Sequence, residues 1–162
     1  MLRNKLSTST LEDLDQGEFQ RLIPDSLAKD PSLVTRVVFC SGKVYYDLVE
    51  EYEKRQLKDV AVVRVEQLYP FPRVEMYAEL VRFPNSRTVV WCQEEPMNQG
   101  AWFQIRHHLV ASMSDRHVLH YAGRTRSPAP ATGNSVTHNR EQTALVNEAL
   151  SVANLGNLPK PE

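Results

Sequence analysis

A three-layer α/β/α sandwich built on a parallel sheet is the fold this sequence predicts, and three observations predict it. Apolar, β-branched runs alternate four times with stretches whose apolar residues recur at helical spacing. One run, VAVVRVEQL (residues 60–68), is apolar almost throughout, as strands covered on both faces are. Turn-forming Gly, Pro, Ser and Asn separate the runs. Strands joined through helices pack back onto one sheet as right-handed crossovers, which leaves them parallel with helices above and below.

Each element has its own warrant. The first thirty residues are irregular and polar, with one alternating run, EFQRLI (18–23), that suits an edge strand: Phe19, Arg21 and Ile23 share one side, Gln20 and Leu22 the other. DPSLVTRVVFC (30–40) predicts a strand that begins after Pro31 and is ended by SGK. Val44, Tyr45, Leu48, Val49 and Tyr52 then form the inward stripe of a helix whose Asp47, Glu50, Glu51, Glu53 and Lys54 face water. After strand 60–68, YPFP breaks the pattern. Pro72 suits the first position of a helix, and Met76, Tyr77, Leu80 and Phe83 make its apolar face until Pro84 and Asn85 stop it. RTVVWC (87–92) is the next strand, closed by QEEP. Trp102, Ile105, Leu109 and Met113 face inward on a third helix, and HVLHYA (117–122) is a fifth strand. GRTRSPAPATGNSVTH (123–138) has no periodicity; a loop that long is expected to lie against a surface outside this chain. Asn139 and Gln142 resemble a capping pair for a closing helix that turns Leu145, Val146, Ala149 and Leu150 inward. Residues 1–14 read as a connecting segment from a preceding domain, 15–153 as the domain, and 154–162 as a flexible tail.

Nineteen basic residues against twenty acidic ones, without a block of like charge, give no footprint for nucleic acid or anionic lipid. No run reaches the roughly 20 apolar residues of a membrane helix, and MLRNKLSTSTLED lacks the apolar centre of a signal peptide. Cys40 and Cys92 sit inside apolar runs with no CxxC partner, so both are expected to be buried and reduced, in a cytoplasm or an organelle matrix.

Ligands of such sheets sit beyond the carboxyl ends of the strands, which singles out residues 41–43, 93–100 and 123–126. Ser41-Gly42-Lys43 is either a glycine turn with a solvated lysine or a loose anion contact. It is not a phosphate-binding loop, which would need Gly at Val37 and Ser or Thr at Val44. Glu94 and Glu95 are adjacent, point to opposite sides of an extended segment and cannot face each other as acid and base. Glu95 either favours a helix N-terminus or meets a partner or ligand. Gly100 and Ala101 permit close approach, while Trp102 and Phe103 offer contact area, one to the core and one outward. His107 and His108 lie about 100° apart on a helix, and His117 and His120 are out of phase on a strand, so neither pair has metal-ligand spacing. No metal ligand set is expected. Arg124 and Arg126 open the long loop on the sheet edge that carries Lys43 and Gln93, where they either share a site or are solvated.

MLRNKLSTSTLEDL, VVFCSGKVYYDLVEE, VAVVRVEQLYPFP, VVWCQEEPMNQGAW, HYAGRTRSPAPATGNSVTHNREQ and LVNEAL together resemble the C-terminal domain of the 2-oxoglutarate dehydrogenase E1 component, in the thiamine-diphosphate transketolase-like superfamily. The resemblance implies a five-stranded, mostly parallel sheet whose first strand runs antiparallel. It implies a homodimeric parent enzyme of the citric acid cycle that decarboxylates 2-oxoglutarate on thiamine diphosphate and hands succinyl to the lipoyl arm of the E2 succinyltransferase. It covers relatives acting on 2-oxoadipate as well. The superfamily holds the diphosphate and Mg²⁺ through a GDG motif with a following Asn pair, and neither occurs here; the cofactor is expected on other domains and the fragment alone is expected to be inactive. No residue is expected to be catalytic. Glu94, Glu95, Trp102 and Phe103 are the expected interface to those domains. Some relatives bind a nucleotide or acetyl-CoA near this seam, for which Arg3, Ser41, Lys43, Gln93 and Arg124 are the candidate residues. A different class remains open, a free-standing anion- or nucleotide-binding regulatory module of the same fold.

Overall fold

The β-branched runs pair into one five-stranded sheet in a computed structural model that describes residues 7–15 and 17–151. The elements are α1 (Leu11–Asp15), β1 (Leu22–Ile23), β2 (Arg36–Cys40), α2 (Val44–Arg55), β3 (Val60–Val65), α3 (Arg73–Arg82), β4 (Thr88–Pro96), α4 (Trp102–Ser112), β5 (Val118–Arg124) and α5 (Ser135–Leu150). The strand order is β1-β3-β2-β4-β5, with β1 antiparallel to β3 and every other pair parallel. The chain passes from β2 outward to β3, then returns across β2 to β4 and on to β5. Because a parallel crossover has one hand, that reversal puts α2 on one face and α3 and α4 on the other.

Alternation along the strands divides the core accordingly. Val37, Phe39, Val63, Val89 and Trp91 pack with Met76, Leu80, Ile105 and Leu109 beneath α3 and α4. Val38, Cys40, Val62, Val90 and Cys92 pack with Leu48, Leu145 and Ala149 beneath α2 and α5. Both layers are closed, so the three-layer sandwich with an antiparallel first strand is as the sequence and the resemblance imply.

Several boundaries differ from the expectations, each for a local reason. β1 is only two residues long, and Phe19 is 69% exposed rather than seated on the sheet. The edge that β1 leaves on β3 is capped instead by the buried Asp25, whose carboxylate accepts from the Val62 amide at 2.8 Å and from the Ala28 amide at 2.8 Å. β2 begins at Arg36 and not after Pro31, because Asp30 caps a 3₁₀ turn over Pro31–Leu33 by accepting from the Ser32 amide. β3 ends at Val65 rather than at Leu68. On α2 Tyr52 is buried as expected, but the second buried tyrosine is Tyr46, with Tyr45 half-buried. Pro72 sits just before α3 instead of inside it, and Tyr77 is 58% exposed. β4 runs through QEEP to Pro96, with a register irregularity between Gln93 and Pro96.

The predicted sixteen-residue loop shrinks at both ends. β5 extends to Arg124, and α5 starts at Ser135 because Asn134, not Asn139, is its cap: the Asn134 side chain accepts from the Val136 and Thr137 amides at 2.8 and 3.2 Å. The inward residues of α5 are Leu145, Val146, Ala149 and Leu150, as expected. α1, in the expected connecting segment, buries none of its residues. Cys40 and Cys92 are free thiols side by side on the central strands β2 and β4. Arg3 and the expected tail over 154–162 lie outside the described residues. No helix among the described residues is long and apolar enough to cross a membrane.

Candidate functional site

β2 and β4 are neighbours whose following helices leave to opposite faces, so their carboxyl ends open a crevice between the two connections. A cavity of about 670 Å³ lies there, floored by Trp91 and Ile105 and walled by Ser41, Gly42, Tyr69, Glu95 and His107. Its size suits a small ligand or an inserted peptide segment.

Gln93 organises the crevice. It is 2% exposed, and every polar atom of its amide is used. Its Oε1 accepts from Trp91 Nε1 at 2.9 Å and from the Trp102 amide at 3.0 Å. Its Nε2 donates to the carbonyls of Glu95, Pro96 and Gln99 at 3.2, 3.3 and 2.9 Å. One side chain therefore fastens the end of β4, the turn after it and the first residue of α4. Gly100 closes that turn at φ +62°, where a Cβ would stand 3.0 Å from both Gln93 Nε2 and the Glu95 Cβ. The sequence NQGAW is thus a turn wound tightly on Gln93, and glycine is required where the chain approaches it.

The adjacent carboxylates diverge, as an extended backbone requires. Glu94 turns toward α2 and α5: its carboxylate meets Lys43 Nζ at 3.0 Å and accepts from Gln142 Nε2 at 3.0 Å, while Gln142 also donates to Asp47 at 2.6 Å. Burial works against the Lys43 ammonium, but hydrogen bonds and charge from Glu94 and Asp47 outweigh it and raise its pKa. Glu95 is exposed and borders the crevice.

Of the residues proposed for an anion, Ser41 and Gln93 share this cavity. Lys43 is neutralised beside it by Glu94. Arg124 faces a second depression of about 420 Å³, where its Nε donates to Glu141 at 2.6 Å and its Nη1 to the Pro130 carbonyl at 2.8 Å. It therefore pins the following loop onto α5. Asn98 and Gln99 hold that loop from the other side, both donating to the Ser127 carbonyl at 2.9 and 3.0 Å. The loop expected to lie on an outside surface is thus laid largely on its own domain.

Trp102 is 3% exposed and packs on Tyr121, so of the aromatic pair it is the core member. Phe103 is 38% exposed, with the guanidiniums of Arg106 and Arg126 at 5.5 and 5.4 Å from its ring centroid. Burial pushes the Cys40 and Cys92 thiols and the Tyr121 hydroxyl up, so none is a ready nucleophile. Among the described residues two serine hydroxyls meet one histidine, Ser86 Oγ at 3.2 Å from His117 Nε2 and Ser114 Oγ at 3.1 Å from His117 Nδ1. The Ser86 hydroxyl already donates to the Phe83 carbonyl at 2.7 Å, and His117 Nδ1 accepts from the Ser114 amide at 3.2 Å. The Ser86 hydroxyl and both ring nitrogens of His117 are engaged by local partners, with Arg116 Nε also 3.4 Å from Nε2, which makes this a structural contact at the far end of the sheet. Asp25 and Asn134 carry much of the polar architecture and were not singled out from sequence, while Gln142, expected as half of a capping pair, instead bridges Asp47 and Glu94; of the first two only Asn134, an Asn directly after Gly133, had a local signal.

Thiamine diphosphate and Mg²⁺ require several oxygen ligands for the ion and cations or amides for the diphosphate. The crevice offers one carboxylate, Glu95, no Lys or Arg in its wall, and a Gln93 with no free hydrogen-bonding atom. Among the described residues no group of three or more His, Cys, Asp or Glu side chains comes together as a metal site. These residues do not fit the cofactor, and no step of its chemistry is assigned to them.

Comparison with known proteins gives the context of this geometry. The sequence profile of a family described as "2-oxoglutarate dehydrogenase C-terminal" matches residues 8–150. A 2-oxoglutarate dehydrogenase E1 component from Coxiella burnetii is 51% identical over 94% of this chain and 16% of its own length. Its counterparts in Cupriavidus necator and Azotobacter vinelandii are 49% and 47% identical over 93% and 94% of the chain, and again 16% of their own length. The chain therefore spans about one sixth of these relatives. A solved structure described as "Split gene transketolase, inactive beta4 tetramer" aligns with 71% of this chain and 39% of its own at a TM-score of 0.50 and 16% identity, which is a likeness of fold.

Proposed function

The chain belongs to the 2-oxoglutarate dehydrogenase C-terminal family, and on that premise we propose that it is the closing structural and assembly domain of an E1 component. The parent enzyme in this reading oxidatively decarboxylates 2-oxoglutarate on thiamine diphosphate and transfers succinyl to the lipoyl group of E2. The observation that carries it is the match of nearly the whole chain to one sixth of E1 components at about half identity. The mismatch between the crevice and the cofactor agrees with it: thiamine diphosphate and Mg²⁺ belong to other domains, and this one supplies a rigid flank. The partners in this reading are those domains, a second E1 chain and E2. The relatives are bacterial, which favours the cytoplasm.

In this assignment the turn wound on Gln93 presents Glu95 and Phe103 to the neighbouring domain, while Glu94 and Trp102 hold the turn from behind. An anionic effector at the same seam would meet Ser41 and would compete with Glu94 for Lys43. Replacing Lys43 by Ala in the complete enzyme then weakens the response to a nucleotide or acetyl-CoA and leaves the effector-free rate intact; an unchanged response removes the effector role.

The function itself is tested on the complete polypeptide, with and without this domain. We expect 2-oxoglutarate-dependent ferricyanide reduction only when the domain is present, and no such activity from the 162 residues alone. Equal activity after its removal would overturn the assignment.

A further inference from the structure

The two outer faces of the sandwich are unlike. α2 exposes no large hydrophobic residue and α5 only Val136 in its first turn, whereas α3 exposes Val74, Tyr77 and Val81 by 79, 58 and 56% and α4 exposes Val110 by 58%. Val74, Tyr77 and Val81 are spaced i, i+3, i+7 and so form one stripe, on a helix that packs beside α4. Single exposed apolar side chains are ordinary, but a stripe confined to one layer marks a surface that something covers.

We propose that the outer face of the α3/α4 layer is the docking surface for the preceding portion of a longer polypeptide, of which this chain is the last domain. This rests on the E1 reading above. Three observations select that occupant. The family matched is a C-terminal one, and five sixths of the relatives' length lies outside the match, hence ahead of it. The lead-in to the domain also arrives along α3: Arg21 pairs with Glu75, the Asp25 amide donates to Glu79 at 2.9 Å, and Arg82 donates to the Asp25 carbonyl at 3.0 Å. Upstream of that contact, Leu11, Leu14 and Phe19 are 85, 74 and 69% exposed, so the lead-in also carries apolar side chains that no described residue of this domain covers. Among the described residues Arg106 and Arg126 have no carboxylate partner, so the covering surface is apolar at its centre with acidic groups toward the strand tips.

The test is thiol labelling with a maleimide, because the native Cys40 and Cys92 are fully buried and give little background. Val81→Cys and Val110→Cys are the reporters, and Glu53→Cys on α2 is the reference. In the 162-residue chain both reporters label at the reference rate. In the complete E1 polypeptide they slow by about tenfold or more while the reference is unchanged, as expected when labelling must wait for a packed surface to open. Two reporters keep the test valid if one variant folds poorly. Equal rates in both contexts overturn the proposal, and so does protection that already grows with concentration in the short chain, which identifies a second copy as the occupant. A complete polypeptide that oxidises 2-oxoglutarate yet labels freely refutes this face alone, whereas one without that activity refutes the E1 reading beneath it.

Discussion

Gln93 concentrates the energetics of the strand tips in one amide. Replacing it by Leu keeps the volume and removes the acceptor for Trp91 Nε1 and the Trp102 amide, both then buried without a partner. Each such orphan costs about 1–3 kcal/mol, so Gln93→Leu should destabilise the chain by about 2–6 kcal/mol in urea unfolding. A change below about 0.5 kcal/mol, the scale of a surface substitution, would show that the amide does not hold the turn. Gly100→Ala tests the same turn from the backbone side, with an expected loss of about 1–2 kcal/mol from the left-handed φ alone. Sequence could single out this stretch because a buried strand runs into polar residues and a glycine there. It could not reveal Gln93 as an internal staple, since an amide that binds a ligand and one that binds its own backbone look alike until the chain folds round it.

At the level of elements, long apolar runs and helical stripes were legible, and their ends were not. The strand predicted from Pro31 starts at Arg36 because a three-residue turn capped by Asp30 outcompetes extension, a choice made by one side chain and not by the run. The strand predicted to stop at Cys92 continues because β5 offers partners as far as Arg124. The start of α5 is a sharper case, since Asn134 takes the cap that the sequence pattern assigned to Asn139. Asn134→Ala should cost about 1 kcal/mol, as loss of a helix cap does, whereas Asn139→Ala, on an exposed turn inside α5, should stay within about 0.5 kcal/mol. Equal effects from the two would return the helix start to Asn139. The knot of Asp25, Glu79 and Arg82 was invisible for another reason. It joins residues more than fifty positions apart, and no local pattern announces a buried carboxylate that caps a sheet edge.

For the molecule as a whole, burial of titratable groups sets a direction for stability with pH. Cys40, Cys92 and Tyr121 all have pKa values raised by burial. Above the ordinary thiol range, about pH 8.5, the unfolded chain releases protons that the native chain keeps, so the unfolded state binds fewer protons and stability falls as pH rises. The two thiols together should steepen that fall by up to about 2.7 kcal/mol per pH unit, and the Cys40→Ala, Cys92→Ala double variant should flatten it. A slope between pH 9 and 10 that is the same in both proteins would mean that the thiols ionise freely when folded. The central claim concerns the same closed body at another scale: two filled layers and a turn stapled from within make a flank for a catalytic centre that other domains hold. It is tested most directly by calorimetric titration of the 162-residue chain with thiamine diphosphate in the presence of Mg²⁺. The account predicts no saturable binding, and a saturable isotherm accompanied by decarboxylation of 2-oxoglutarate would contradict it.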